Sequence, residues 1–177
     1  MNKAIFLDRD GTLNPDPGFI SRPEDFNLFE GVTEALKKLK CAGYLLILIT
    51  NQSGISRGLI TEKQLEAVHN KLKRLLKEAG AELDGIYYCP HHPEHPYKGI
   101  SVCNCRKPAP GLILKAIEEH NIDSSRSYMI GDRKSDIKIG LNSNVQPIFI
   151  CERPIEGYEK IPSFKNLMQA ADYILSK

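Results

Sequence analysis

Asp8-Arg9-Asp10-Gly11-Thr12 sets two carboxylates two positions apart. At that spacing on a strand, side chains project to the same side. Asp8 and Asp10 are therefore expected to share a site while Arg9 faces away. Two acids so close repel unless a cation lies between them or one takes a proton. Asp132, in Gly131-Asp132-Arg133, would supply a third acid if the chain brings it to the same edge. Such oxygen donors suit magnesium, which binds through a few carboxylates and substrate phosphate and keeps several waters. A carboxylate can also attack phosphorus and form an aspartyl-phosphate. A second carboxyl group can protonate the leaving oxygen and then activate water. Phosphoryl transfer further needs positive charge and hydrogen-bond donors around the transferring oxygens. Thr50 and Lys107 are the candidates for that task.

A second constellation is Cys89-Pro-His91 with Cys103-Asn-Cys105, which runs directly into Arg106-Lys107. Three thiolates and one imidazole make a closed tetrahedral shell for zinc, with no position left for substrate. The loop at 89–105 is therefore expected to hold a structural ion that points Arg106 and Lys107 at the phosphate. His92 and His95 lie near enough to substitute for His91. Cys41 and Cys151 lack nearby ligand partners and are expected to be small buried apolar residues. His69 and His120 fall on expected helices and are read as surface residues. Asp136 could hold a magnesium-bound water, orient Lys107, or act as a helix N-terminal acid.

The elements that must position these residues alternate short apolar runs with amphipathic stretches, the pattern of a parallel sheet covered by helices. Strands are expected at 3–7, 44–49, 86–88, 127–130 and 147–150. Val32, Ala35, Leu36 and Leu39 recur at helical spacing, and Gly43 sits where that helix would end. Thr61-Glu-Lys-Gln64 is a capping-box pattern, followed by the stripe Leu65, Val68, Leu72, Leu75, Leu76 and Ala79. A helix is expected from Pro110 to His120, with proline near its start, and a last one in the tail from Ser163 to Leu175. Ligands in such sheets bind outside the carboxyl ends of the strands. Each of the first four strands is followed there by polar, chemically capable residues: Asp8 to Thr12, Thr50 to Ser53, the cysteine loop, and Gly131 to Arg133.

The 177 residues fit a single domain, 1–177, and 41% hydrophobic residues suffice for a core without disulfides. A net charge of +2 argues against a general nucleic-acid binder. No apolar run approaches the about 20 residues of a membrane span, and the start shows no signal-peptide pattern. These features lead to the expectation of a cytoplasmic monomer with no membrane or nucleic-acid partner. Clustered cysteines in a reducing compartment also read better as metal ligands than as disulfides.

Asp8-x-Asp10-Gly11-Thr12, Thr50, Lys107 and Gly131-Asp132…Asp136 resemble, in order, the four motifs of the haloacid dehalogenase-like phosphatases. The resemblance implies a three-layer, Rossmann-like α/β fold. It implies Asp8 as nucleophile and Asp10 as general acid and base. Magnesium would be held by Asp8, the Asp10 backbone carbonyl and Asp132, while Thr50 and Lys107 would stabilise the phosphoryl group. FLDRDGTLN, TNQSGISRG, the CPH…CNCRKP loop and GDR are similar to the subgroup that dephosphorylates heptose bisphosphates. That similarity implies structural zinc on Cys89, His91, Cys103 and Cys105. It also implies sugar-phosphate contacts from Asp16, Pro17, Gly18, Phe19, Thr50, Asn51, Gln52, Ser53, Arg106, Lys107 and Arg133, and no large cap domain. Histidinol-phosphate phosphatases share the four motifs and a similar loop and form the nearest alternative, although TNQSGISRG favours the heptose group. A DNA 3′-phosphatase fits the balanced charge poorly. A non-catalytic zinc-stabilised binding protein would be expected to lack one of the two motif acids, and both are present.

Overall fold

The computed structural model describes residues 1–151 and 155–177. Six parallel strands form one sheet in the order β3-β2-β1-β4-β5-β6. They are β1 (Lys3–Leu7), β2 (Tyr44–Asn51), β3 (Gly85–Cys89), β4 (Tyr128–Gly131), β5 (Gln146–Ile150) and β6 (Ser163–Phe164). The helices are α1 (Val32–Cys41), α2 (Glu62–Glu78), α3 (Gly111–His120), α4 (Lys134–Asn142) and α5 (Leu167–Leu175). The central strands are apolar at nearly every position because helices cover both faces. Ile5, Leu7, Leu46 and Leu48 join α1, α2 and α5 in one core, while Phe6, Ile47, Ile49 and Met129 join α3 and α4 in the other. Among the described residues, no helix is long and apolar enough to cross a membrane.

Register gathers the polar strand ends. Leu7 pairs with Leu48 on one side and Ile130 on the other, so Asp8, Thr50 and Asp132 all emerge within two residues of one line across the sheet. Asn51 pairs with Cys89, which starts the cysteine loop at the same edge. The chain runs outward from β1 through β2 and β3, then returns to place β4 on the other side of β1. That reversal opens a crevice between β1 and β4. The connections around it carry little regular structure among the described residues: one 3-10 turn at Pro23–Asp25 precedes α1, and only turns separate β2 from α2.

The expected elements form, with revised ends. The capping box closes as its residues dictate, with Gln64 N–H donating to Thr61 Oγ1 at 3.2 Å and Thr61 N–H to Gln64 Oε1 at 2.9 Å. The tail is not one helix from Ser163. Ser163–Phe164 instead extends the sheet as β6, and α5 begins after Asn166, whose side chain caps Gln169 N–H. α4 was legible only as a start after Asp132, because Gly140 breaks its pattern and Leu141 is exposed. Gly140 packs against the Val145 carbonyl and Pro147, where a side chain would have to push both aside. His69 is buried and His120 half-buried, contrary to the surface reading. His69 lies four residues after Leu65 and three before Leu72, on the apolar stripe itself. Cys41 is exposed and Cys151 half-buried, so neither is the buried apolar residue expected.

Candidate active site

Lys107 Nζ sits at the centre of the crevice, 2.6 Å from Asp8 Oδ1, 2.7 Å from Asp136 Oδ1 and 3.0 Å from the Ile49 carbonyl oxygen. The ammonium group donates to Asp8 and to the Ile49 carbonyl and forms an ion pair with Asp136. The Lys107 side chain is 3% exposed, and those of Asp8 and Asp136 are 7% and 2% exposed. Burial pushes Asp8 up to about 7; the Lys107 charge opposes this, and Asp136 and Asp132 reinforce it. Burial acts to lower Lys107, but the Asp136 and Asp8 carboxylates outweigh it and hold Lys107 above its usual range. Asp132 is also raised, first by burial and then by Asp136.

Three acids thus crowd around one lysine. Oxygens of Asp8, Asp132 and Asp136 lie within 4.8 Å of one another. The set carries more negative charge than Lys107 neutralises, and hard carboxylate oxygens are the donors magnesium takes. The residues present fit that ion. Gly11 makes the approach possible: its φ is +88°, and a Cβ there would stand 2.2 Å from Asp132 Oδ2. Gly131 likewise leaves room for the Asp136 carboxyl, 2.3 Å from where a Cβ would fall. Asp136 has two of the roles considered for it. One oxygen faces Lys107, and the other accepts the Arg133 backbone N–H at 2.9 Å at the start of α4. Lys107→Met is expected to leave buried carboxylates unpaired. It should lower metal-free stability by about 3–5 kcal/mol and turnover by about 10²–10³-fold, read by thermal melting and kcat. A variant that melts like the parent would contradict the pairing.

Asp10 is held differently. Its Oδ1 accepts from Arg9 Nε at 3.0 Å and Asn14 Nδ2 at 2.9 Å, and its Oδ2 from Arg9 Nη2 and Gln52 Nε2, each at 2.9 Å. Arg9 therefore does not face away. The chain leaves strand geometry after Leu7 and turns through Leu13 N–H to the Arg9 carbonyl, so the alternation no longer applies. Gln52 also donates to Thr50 Oγ1 at 2.9 Å, leaving the Thr50 proton free to point at a ligand.

The cleft in front of these groups is ≈ 380 Å³. Of the residues expected to contact substrate, Asp16, Gly18, Phe19, Thr50, Asn51, Gln52, Ser53, Arg106, Lys107 and Arg133 line it, as do Asp8 and Asp10. Pro17 is exposed and lies outside the lining, as does the half-buried Asp132. Asn51 uses its amide on the Lys107 backbone, accepting Lys107 N–H at 3.0 Å and donating to its carbonyl at 3.2 Å. Asp16 pairs with Arg133 across the mouth. Arg57, His92 and Ser135 line the cleft without having been expected there. Arg57 donates to His92 Nε2 at 2.9 Å and faces His95 Nε2 at 3.3 Å. Its place inside TNQSGISRG was the available signal.

The cysteine loop converges on one point. Cys89, Cys103 and Cys105 sulfurs lie 3.0–3.6 Å apart, and His91 Nδ1 is 3.6 Å from Cys89 Sγ and 3.3 Å from Cys105 Sγ. His91, not His92 or His95, completes this set. Burial raises the Cys89 thiol. Four soft donors packed this closely fit zinc, which would hold the sulfurs as thiolates. Arg106 Nη1 donates to the His91 carbonyl at 3.1 Å, tying the residue that precedes Lys107 back to the loop.

Comparison with known proteins gives the family and the fold. The family model described as polynucleotide kinase 3 phosphatase matches residues 3–148. The chain belongs to this family. It is a haloacid dehalogenase-like member of it, with the parallel α/β sheet and, among the described residues, no large cap. Among its relatives, the D-glycero-beta-D-manno-heptose-1,7-bisphosphate 7-phosphatase of Helicobacter pylori is 47% identical over 98% of this chain and 97% of its own. The Escherichia coli enzyme of that name is 45% identical over 98% and 88%. A crystal structure of D,D-heptose 1,7-bisphosphate phosphatase from B. bronchiseptica, complexed with magnesium and phosphate, superposes with a TM-score of 0.85. It is 30% identical and covers 98% of each chain. In this polynucleotide kinase 3 phosphatase family member, Asp8, Asp132, Asp136 and Lys107 gather at the crevice, and Arg57, Arg106 and Arg133 line the cleft in front of it.

Proposed function

We propose that this chain is a magnesium-dependent phosphatase. In this reading it removes the 7-phosphate of D-glycero-β-D-manno-heptose 1,7-bisphosphate through an aspartyl-phosphate. The β anomer is taken from the names of the relatives. The observation that carries the reading is the Asp8–Lys107–Asp136 core facing a cleft rimmed by Arg57, Arg106 and Arg133. Magnesium, held by Asp8, Asp132 and the Asp10 carbonyl, would supply charge neutralisation for the phosphoryl oxygens. Asp8 attacks phosphorus in line, and the ester P–O bond breaks. Asp10 gives its proton to the departing sugar oxygen, then takes one from water as that water attacks the aspartyl-phosphate. Lys107 and the Thr50 hydroxyl hold the phosphoryl oxygens. Zinc on Cys89, His91, Cys103 and Cys105 would be structural.

Three arginines suit a substrate carrying a second phosphate. Histidinol phosphate offers an amine cation in its place, which the same rim would repel. A polynucleotide end would need an extended basic track, and the chain's net charge is +2. The enzyme is read as cytoplasmic and monomeric, serving nucleotide-activated heptose synthesis, because thiolate ligands need a reducing compartment. The test is a comparison of kcat/KM with magnesium for the two heptose bisphosphate anomers, histidinol phosphate and a 3′-phosphorylated oligonucleotide. The β-heptose bisphosphate is expected to lead. Preference for histidinol phosphate or the oligonucleotide would overturn the substrate assignment.

A further inference from the structure

Arg9 is one of the largest fully buried side chains of the protein, and its position one residue past the nucleophile does not require a cation. Its guanidinium is held at both ends. Nε and Nη2 form a two-pronged contact with the Asp10 carboxylate, and Nη1 lies 3.2 Å from His69 Nε2 on α2. Gln52 Oε1 accepts from Nη2 at 3.2 Å, on the side facing the cleft. His69 is 5% exposed and occupies a stripe position where leucine would pack without a polar cost. Burial, with the Arg9 charge, pushes His69 down to about 3, so its ring is neutral and Nε2 can accept a hydrogen bond. Tyr88 sets its ring edge-on to His69 at 6.1 Å. A purely structural Arg9–Asp10 pair would not require a buried imidazole as well.

We propose that His69 is a positioning residue for the phosphatase reaction: it fixes Arg9, and Arg9 aims the Asp10 carboxyl at the oxygen it must protonate and at the water it must activate. The proposal rests on the acid–base role given to Asp10 above. His69 itself touches neither substrate nor metal. The chemistry separates this role from simple support of the fold. In the first step a sugar alkoxide needs the Asp10 proton as the P–O bond breaks, whereas a nitrophenolate leaves with the electron pair unaided. In the second step water adds to phosphorus, gives its proton to Asp10, and the Asp8–phosphorus bond breaks. A misaimed Asp10 therefore slows the first step for the sugar and the second step for every substrate.

The experiment compares the wild-type chain with His69→Leu, which fills the space without an acceptor, and His69→Gln, which returns one. Each is assayed with magnesium on heptose bisphosphate and, by stopped flow, on p-nitrophenyl phosphate. His69→Leu is expected to lose kcat on the sugar by ~100-fold, the scale of a small misplacement of a reacting group, with KM little changed. On the aryl ester it should release about one nitrophenolate per active site in a burst and then turn over slowly. His69→Gln is expected to recover most of the sugar rate. If burst amplitude and steady rate fall together in His69→Leu, or if His69→Gln recovers nothing while folded, His69 supports the fold and the proposal is wrong. Wild-type protein that turns over neither ester would instead overturn the phosphatase reading itself.

Discussion

Asp8→Asn is expected to lower turnover of the sugar bisphosphate by about 10,000-fold or more, because removing a nucleophile removes the step that the rest of the site serves. The same variant should be folded and, without metal, more stable than its parent above neutral pH. Asp8 has its carboxyl raised from the ordinary 3.8 to about 7, chiefly by burial. Below pH 3.8 the group is protonated in folded and unfolded chains alike. Between there and about 7 the unfolded chain releases the proton while the folded one keeps it, so stability falls as pH rises. Above about 7 the difference is constant, on the order of a few kcal/mol. Asparagine does not titrate, so that part of the slope should vanish, while Lys107 keeps Asp136 as its partner. Thermal melting from pH 4 to 9 in chelator checks this. An unchanged slope would mean that Asp8 is not the strained group. Restoring magnesium should stabilise the parent more than the variant, by linkage.

Cys105→Ser is expected to lower turnover from a distance, through the loop that leads to Lys107. Losing a thiolate from a closed zinc set typically disorders the segment that it holds. Here that segment leads through Arg106 to Lys107. Two clamps fix Lys107: the loop acts through the Arg106–His91 contact, and Asn51 grips the Lys107 backbone from the end of β2. The variant should bind no zinc and melt earlier, and its kcat should fall by about 10–100-fold as Lys107 strays from the phosphate. Asp10, held by Arg9, Gln52 and Asn14, is untouched. Metal analysis with kcat gives the answer. Full turnover in a zinc-free variant would leave Asn51 as sufficient and reduce the zinc loop to a stabilising role.

The sheet and its polar edge could be read from the sequence because the strands are short apolar runs that each stop at a chemical residue. A parallel sheet must bring those stops together. The cluster of Cys89, His91, Cys103 and Cys105 was legible for a similar reason, as paired spacings next to Arg106-Lys107. What escaped lay off the strands or depended on contacts between distant segments. Arg9 was misjudged because strand alternation ends at Leu7. Arg57 and His92 are 35 positions apart and meet only because the cysteine loop folds back over the turn after β2. His69 is buried because it stands on the Leu65–Leu72 face of α2, a placement that residue type alone does not reveal. The roles of Asp136 could not be separated until Lys107 was seen between it and Asp8. Ser163–Phe164 pairs with β5 over two residues, too few for a pattern to register.

The central claim is that Asp8 carries the phosphoryl group between substrate and water. The direct measurement is acid quenching of the enzyme during turnover of heptose bisphosphate with magnesium, followed by mass-spectrometric mapping of the phosphorylated residue. The account predicts phosphate on Asp8 and none in Asp8→Asn. Steady turnover with no phosphorylated aspartate at any quench time, or phosphate on another residue, would contradict it.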